Sequence, residues 1–415
     1  MTTVPPSATD APVTPLWRNG DFLRLWCGQV ISTVGSGISR LALPLLVLAL
    51  TGSPLQAGLI GAAQTAPFVI LGLPAGALLD RWNRQRVMIV CDAARCLAFG
   101  SLPLAWSLGQ LTIAHLYAVA LVHGTAQAFF NIAQLAALPR VVPIPQLARA
   151  HSLNTASEGI ASLVSPGVGG FLIGLAPTVA AGAALAYLAD SVSYLCSVLM
   201  LSAIRTPFQA SRAPAPFGRL WHQVTTGLRF LWARLPLRLL AMVNMVHRMC
   251  FAPVQLATVV LARDHFQADA RTIGLLFTAA GAGGLMASVA TPWLRARVSV
   301  GHSMLGLTAG HAVGLAVVAL APSPAIAAAG LFLAGGMETM TGIVQVSYRL
   351  AVIPDDLQGR VNSSYRFLSF GAVTFGTAAG GFLLATLGPR PVLMLLGGGI
   401  ALISLGIALS PTRRL

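Results

Sequence analysis

The chain has 415 residues, of which 56% are hydrophobic and only 9% are charged, and its mean hydropathy is +0.77. Soluble domains carry about 25% charged residues, so this composition excludes a soluble globular protein, whose surface needs more polar groups. The net charge of +15 does not indicate nucleic-acid binding, because the basic residues, all of them arginine, lie in short gaps between apolar stretches.

Twelve stretches are apolar for long enough to cross a membrane as helices. A spanning helix needs about 20 apolar residues, because each residue adds about 1.5 Å across a hydrocarbon core of roughly 30 Å. In chain order the predicted helices are 22–50, 55–79, 87–108, 112–138, 152–176, 178–203, 237–261, 272–294, 302–321, 325–350, 362–386 and 390–410. The predicted fold is an all-α membrane protein, since barrel strands would show short segments of alternating polarity.

Polar segments flank these helices and separate them into two sets of six. The predicted divisions are a cytoplasmic tail at 1–20, a six-helix half at 21–204, a cytoplasmic linker at 205–236, a second six-helix half at 237–410 and a tail at 411–415. The first tail lacks the basic and apolar regions of a removable signal peptide. In the linker, apolar residues from Phe217 to Trp232 recur every three or four positions, which predicts an amphipathic interfacial helix. A substrate-binding role for this helix is the alternative.

The positions of the arginines predict the orientation of the chain. With a cytoplasmic N-terminus, nineteen arginines lie in or beside cytoplasmic loops, and only Arg263, Arg271 and Arg390 lie outside. Cytoplasmic loops of membrane proteins carry an excess of basic residues. We therefore expect both termini in the cytoplasm.

The two sets of helices carry an internal repeat at an offset of 211 residues. The coinciding positions include Trp82 with Trp293, Gly124 with Gly335, Gln134 with Gln345, Arg149 with Arg360 and the Gly-Gly-Phe-Leu run at 169–172 with that at 380–383. An even number of helices in each half keeps both halves in the same orientation. The sequence thus predicts a parallel duplication whose axis lies along the membrane normal.

The loop after the second helix carries a motif at Gly76, Asp80, Arg81, Arg84 and Arg86. Its spacing resembles the loop motif of the major facilitator superfamily, Gly-x-Leu-x-Asp-Arg-x-x-Arg. The resemblance implies the major facilitator fold, a binding site between the halves and transport by rocking of one half against the other. It also implies a latch that closes the cytoplasmic side. The alternative is a topology anchor that only obeys the arginine bias.

The fifth helix carries a second motif at Ser165, Pro166, Gly169 and Gly170, preceded by Ala161. It resembles the antiporter motif of drug exporters, Gly-x-x-x-Gly-Pro-x-x-Gly-Gly, with Ala161 and Ser165 in place of two glycines. Small residues let helices approach closely, and proline permits a kink. The alternative is ordinary tight packing.

Over residues 20–410 the sequence resembles the branch of the superfamily that holds enterobactin exporters and macrolide efflux proteins. The stretches that carry this resemblance begin at Ala42, Thr51, Leu147 and Gly359. The resemblance implies a bacterial plasma-membrane antiporter that exports a drug, a macrolide or a siderophore, with antibiotic resistance as one consequence.

Ionisable residues at membrane depth are costly, so each is a candidate functional group. Glu338, in the tenth helix, is the first candidate for the coupling proton, because a carboxylate in the low-dielectric interior favours its proton-bound form. A permanent salt bridge to Arg248 is the alternative. Asp190 and Glu158 are the second candidates. Arg248 and Arg40 occupy near-equivalent places in the two halves and could bind an anionic group or act as counter-ions.

Polar residues in the fourth helix recur at steps of four and three and so share one face. These predicted cavity residues are His123, Gln127, Asn131 and Gln134, and Gln345 is the counterpart of Gln134 in the second half. Drug–proton antiporters often have an arginine in this helix, and the predicted span 112–138 contains none.

These features predict a secondary active transporter, with proton-coupled efflux of a small amphipathic compound as its leading function. A proton-coupled importer of the same fold is the alternative, and a membrane receptor or enzyme is a distant one, because no catalytic, metal-binding or P-loop motif is present. We expect no cofactor and no metal. The expected partners are the lipid bilayer, a small-molecule substrate and protons, without nucleic acid, and the expected state is a monomer.

Overall fold

The computed structural model describes residues 15–79, 81–209 and 219–410. All regular elements in these ranges are helices, and two short 3-10 turns, Leu16–Arg18 and Ile144–Gln146, precede the first and fifth of them. The first half contains α1 (Gly20–Thr51), α2 (Pro54–Leu79), α3 (Arg84–Ser107), α4 (Ile113–Val141), α5 (Leu147–Ile173) and α6 (Val179–Ser202). The rest contains α7 (Arg219–Ala233), α8 (Leu235–Phe251), α9 (Val254–Asp264), α10 (Ala270–Arg295), α11 (Val300–Leu320), α12 (Pro324–Val352), α13 (Asp355–Leu387) and α14 (Pro389–Leu409).

Twelve spans in the described part of the chain are long and apolar enough to cross a membrane, which confirms the predicted number. The seventh span differs from the single helix predicted at 237–261. It consists of α8 and α9, which are separated at Ala252 and Pro253. Proline has no backbone N–H and its ring displaces the preceding turn, so the sequence interrupts the helix there.

Within each half, the helices pack on one another. In the first half, α1 packs on α5 and α6, and α3 packs on α4 and α6. In the second half, α12 packs on α10 and α11, and α11 packs on α14. The halves then meet along two helix pairs, α2 with α13 and α5 with α10. These pairs correspond under the repeat, because the second and fifth spans of each half meet the fifth and second spans of the other.

Glycines bring the two halves into backbone contact at one end of the molecule. A Cβ atom on Gly170 would lie 2.9 Å from the Cα atom of Gly274, and one on Gly58 would lie 2.6 Å from the Cα atom of Gly381. Such separations are shorter than van der Waals contact, so only glycine permits this approach. We call this end, which carries the loops at 52–53, 174–178 and 265–269, the sealed end.

The helix α7 lies against the second half. It packs on α8 and α13, and Leu231 is buried in a small apolar cluster with Leu237 and Tyr365, whereas Trp232 is exposed. Phe217, the first residue of the predicted amphipathic pattern, lies outside the described residues. The boundaries of the two halves and of the linker stay a prediction.

Candidate transport site

A cavity of about 760 Å³ lies between the two halves. Its walls differ in chemistry. The first half contributes mostly amide and hydroxyl side chains, and the second half contributes mostly apolar residues, phenylalanines and glycines among them, beside Gln255, Glu338 and Thr339. Representative lining residues are Gln64, Gln127, Asn131 and Gln134 on one wall and Phe251, Phe277, Gly281 and Gly335 on the other. This contrast suits a ligand with one polar and one apolar face.

The polar stripe predicted in the fourth helix lies along this cavity. His123, Gln127, Asn131 and Gln134 of α4 all line it. Gln127 donates from Nε2 to Oδ1 of Asn131 at 2.7 Å, as residues four apart on a helix can. His123 stacks on the ring of Phe99 with centroids 4.9 Å apart, and its buried Nδ1 has no hydrogen-bond partner among the described residues.

Gln345 is not among the residues that line this cavity, so its role as a substrate-cavity residue stays a prediction. Its side chain is buried, and its Oε1 accepts a hydrogen bond of 2.9 Å from the hydroxyl of Tyr365 in α13. The repeat aligns the two glutamines in sequence, but the side chain of Gln345 is bound by Tyr365 of α13, whereas that of Gln134 lies along the cavity.

An arginine of the third helix reaches the polar stripe of the fourth helix. Arg95 of α3 donates to Gln127 and pairs with Asp92, and both charged side chains are buried. The hydroxyl of Ser197 donates to the other oxygen of Asp92 at 2.6 Å. Arg95 also lines the cavity. The positions of Asp92 and Arg95 on one helix face follow from their spacing, whereas the link to the polar stripe follows from packing alone.

The carboxylate of Glu338 lies in a cluster of three basic side chains. Arg248 approaches Oε1 with Nη1 at 3.0 Å, and His247 approaches Oε2 with Nε2 at 3.3 Å. The Nδ1 atom of His311 is 3.1 Å from Nε2 of His247 and 3.9 Å from Oε2 of Glu338. We call these four residues the Glu338 cluster. His247 is absent from the predicted site residues, although an ionisable residue beside Arg248 at membrane depth is a usable signal.

Three atoms of this cluster lie close enough together to hold a metal ion, because His247, His311 and Glu338 each offer one within 4.8 Å of the others. Two features favour an ion pair over a metal site. The guanidinium of Arg248 already neutralises the carboxylate, and the two imidazoles are within hydrogen-bond distance of each other. We therefore interpret the cluster as an ion pair between Glu338 and Arg248, beside two histidines that share a hydrogen bond.

Asp190 of α6 is fully buried behind the cavity wall. It accepts hydrogen bonds from the hydroxyls of Ser39, at 2.5 Å, and Ser193, at 3.0 Å. Within the described ranges no arginine or histidine forms an ion pair with Asp190. Ser39 itself lines the cavity, so one hydroxyl separates this carboxylate from it. Glu158 of α5 lines the cavity directly and is exposed.

The helix-five motif lies where α5 meets both α1 and α10. The side chain of Ser165 packs on Gly37, and a Cβ atom on Gly169 would lie 3.3 Å from the Cα atom of Ile38. Gly170 forms the backbone contact with Gly274 described above. Pro166 lies inside α5 and lines the cavity. The motif thus serves two contacts: Ser165 and Gly169 pack on α1 within the first half, and Gly170 forms the glycine contact with the second half.

The loop motif is described only in part, because Asp80 lies outside the described residues. The side chain of Asn83 caps α3 by accepting from the backbone N–H of Arg86 at 3.0 Å. Arg84 reaches the backbone oxygen of Ala136 in α4. The latch formed by Gly76, Asp80, Arg81, Arg84 and Arg86 stays a prediction.

Twelve apolar spans that surround a polar-lined cavity between two halves define a small-molecule transporter of the membrane rather than an enzyme. The chain belongs to the transmembrane secretion effector family of the major facilitator superfamily, whose family model matches residues 10–414. This result confirms the predicted superfamily and fold.

Two curated relatives are similar over nearly the whole chain. The multidrug efflux pump Tap of Mycolicibacterium fortuitum is 26% identical over 381 residues, which cover 88% of this chain and 89% of Tap. The enterobactin exporter EntS of Escherichia coli O1:K1 is 26% identical over 394 residues, which cover 94% of this chain and 90% of EntS.

Solved structures share the fold at low identity. A bacterial homologue of the iron transporter ferroportin in an inward-facing state has a TM-score of 0.76 at 15% identity, covering 95% of this chain and 98% of its own. The nucleoside transporter NupG has a TM-score of 0.73 at 11% identity, covering 94% and 98%. These similarities establish the fold alone.

Proposed function

We propose that this protein exports small amphipathic compounds across the bacterial plasma membrane by alternating access, in exchange for protons. The observation that carries the proposal is the ion pair between Glu338 and Arg248 beside the central cavity. The similarity to Tap and EntS, which are an efflux pump and an exporter, supports the direction of transport and a drug or siderophore as cargo.

The orientation belongs to the same proposal. Arginines concentrate in the loops opposite the sealed end, and a cytoplasmic position for these loops puts both termini in the cytoplasm. The sealed end then faces outward. Cargo enters the cavity from the cytoplasmic side, past Glu158, and leaves when the contacts of Gly170 with Gly274 and of Gly58 with Gly381 separate. In that outward-open state the loop latch closes the cytoplasmic end.

Proton exchange at the Glu338 cluster links this movement to the pH gradient. Without a proton, Glu338 and Arg248 neutralise each other across α8 and α12. A proton on Glu338 breaks that pair and leaves Arg248 without a counter-charge in a region of low dielectric constant. The relative free energies of the inward-open and outward-open conformations then change. His247 and His311 face the second carboxylate oxygen from α8 and α11, and either imidazole can accept the proton on its way.

Glu338 ranks above the other two carboxylates for geometric reasons. It lines the cavity and also has a cationic partner whose pairing a proton can switch. Among the described residues, Asp190 accepts hydrogen bonds from two hydroxyls and forms no ion pair, and Glu158 lies exposed with no ion pair. An importer that runs the same cycle in reverse is the alternative function.

Reconstituted transport tests the proposal. Proteoliposomes with an imposed pH gradient are assayed with tetracycline, erythromycin and enterobactin, and the Glu338→Gln, Asp190→Asn and Glu158→Gln variants are compared. We expect flux of at least one probe to follow the gradient in the wild type. Glu338→Gln should abolish gradient-driven flux and retain exchange of labelled for unlabelled probe, while the other two variants stay coupled. Wild-type flux that ignores the gradient, or full coupling in Glu338→Gln, would refute proton exchange at this site.

A further inference from the structure

Among the described residues, four charged side chains line the cavity, and two of them already have charged partners. Arg95 is paired with Asp92, and Glu338 is paired with Arg248. The other two are Arg40 and Glu158, for which the described ranges contain no ion pair. An arginine at membrane depth is costly unless it faces water or a partner. Arg40 therefore presents its guanidinium to the cavity as a site for an anionic group.

Arg40 and Glu158 cannot compensate each other. Gly37, three residues before Arg40, packs on Ser165, and Glu158 lies seven residues before Ser165 on the adjacent, parallel helix. Ten residues of helical rise between them correspond to about 15 Å. At that separation water in the cavity screens their attraction. The two charges thus mark opposite ends of the cavity, with Glu158 at the open end.

Arg40 lies directly beneath the sealed end. Ile38 and Leu41, its neighbours along α1, contact Gly169, and the following residue of α5, Gly170, touches Gly274 of the other half. The second half also reaches this level through Gln255, whose Nε2 donates to the backbone oxygen of Arg40 at 3.2 Å. A group bound at Arg40 would be held where the two halves separate.

An unpartnered hydrogen-bonding group accompanies Arg40 at this level. Ser165 lines the cavity and is 0% exposed, and its Oγ has no hydrogen-bond partner in the part of the chain that the structure describes. A buried polar atom without a partner costs about 1–3 kcal/mol. A ligand oxygen that accepts from both Ser165 and Arg40 would relieve that cost and compensate the guanidinium.

Two aromatic rings complete this end of the cavity. Phe277 lies between Gly274, which touches Gly170, and Gly281, which touches Ser162, so it faces the level of Ser165. Phe251 lies four residues before Gln255 and also lines the cavity. An aromatic group placed against these rings gains both apolar burial and favourable ring contacts.

We propose that the sealed end of the cavity binds the carboxylate of an aromatic acid, with Arg40 as its charge partner, Ser165 as a second donor and Phe251 and Phe277 against the ring. A planar guanidinium matches a carboxylate with two parallel hydrogen bonds, which an amide or an ammonium group does not reproduce. This assignment names the substrate class of the exporter and rests on the proposed function, because it takes the cavity as the cargo site.

Equilibrium binding to the purified full-length protein tests the assignment without any gradient. The probes are radiolabelled 1-naphthoate and its uncharged methyl ester, measured by equilibrium dialysis. We expect Arg40→Gln to weaken naphthoate binding at least tenfold and to leave ester binding within twofold. Arg40→Lys should recover only part of the loss, and Ser165→Ala should weaken naphthoate binding by a smaller factor. The matched control is Arg263→Gln, an exposed arginine of the sealed end that lies outside the cavity.

The outcomes separate this assignment from the proposed function. Absence of saturable naphthoate binding to the wild type, or equal affinity in Arg40→Gln and the wild type, overturns it even if transport follows the pH gradient. An equal loss of acid and ester in a well-folded Arg40→Gln variant also overturns it, because the effect would then be steric. Conversely, charge-selective binding at Arg40 stands even if flux proves independent of protons.

Discussion

Arg248 and Glu338 form an ion pair of 3.0 Å between α8 and α12, and the residue before Arg248, His247, contacts the other oxygen of the same carboxylate. Arg248 and Glu338 are 90 positions apart in the sequence, with α9, α10 and α11 between them, so packing alone brings the two groups together. One carboxylate thereby has a permanent cation on one oxygen and a titratable imidazole on the other.

Removal of the cation should uncouple transport. In Arg248→Gln the Glu338 carboxylate has no charge partner, so a proton on Glu338 no longer breaks an ion pair between α8 and α12 and cannot drive the change of conformation. We expect gradient-driven flux in proteoliposomes to fall at least tenfold, with exchange of labelled for unlabelled probe retained. The double variant Arg248→Gln/Glu338→Gln should unfold at a higher temperature than Arg248→Gln alone, because it removes the carboxylate that has lost its partner. Normal coupling in Arg248→Gln would contradict the role of the pair.

The buried pair of Asp92 and Arg95 should matter for stability. Asp92→Ala leaves the Arg95 guanidinium, which is 3% exposed, without its counter-charge. Loss of one partner of a buried pair costs about 3–5 kcal/mol. The control is Arg263→Gln, which breaks an exposed pair with Asp264 and should cost less than about 1 kcal/mol. Thermal unfolding in detergent measures both, and equal midpoints for the two variants would show that the buried pair contributes no more than the exposed one.

The glycine contact between α5 and α10 should hold the sealed end closed. In Gly274→Leu the new Cβ atom would lie 2.5 Å from the backbone oxygen of Pro166, so the helices must separate. In a background without the five native cysteines, we expect this variant to make a Gln255→Cys probe react faster with an impermeant maleimide from the sealed side. Gly306→Leu is the control, because no described atom lies within 4 Å of a Cβ atom there. Labelling that stays at the control level would contradict the seal.

Asp269, the N-cap residue of α10, makes a pH-dependent contribution to the free energy of unfolding. Hydrogen bonds from the Thr272 side chain and backbone lower the pKa of Asp269 from its ordinary value of 3.8. A lowered pKa means that the ionised cap stabilises the fold fully above pH 3.8, and that this contribution is lost as the pH falls through the lowered pKa. Asp269→Ala should cost about 1 kcal/mol near neutral pH, and the difference from the wild type should shrink in acid. A difference in unfolding temperature that stays constant from neutral pH into the acid range would contradict this account.

The sequence by itself determined the number of spanning helices and their division into two related halves. Runs of about 20 apolar residues specify spanning helices because the bilayer core requires that length. The offset that aligns Trp82 with Trp293 indicated the duplication. The steps of three and four from His123 to Gln134 placed those side chains on one face, which proved to line the cavity. Each of these signals is local or periodic, so it can be read along one chain.

Only the tertiary structure decided which distant side chains meet. His247, His311 and Glu338 come from three helices, and no spacing in the sequence relates them. The repeat paired Gln345 with Gln134, but Tyr365 binds Gln345 outside the cavity lining. Arg40 and Arg248 looked equivalent, yet Arg248 forms an ion pair with a carboxylate and Arg40 forms none in the described ranges. The reason is physical: helix length follows from the chain and the bilayer, whereas contacts between helices depend on how side chains from separate segments fill the same space.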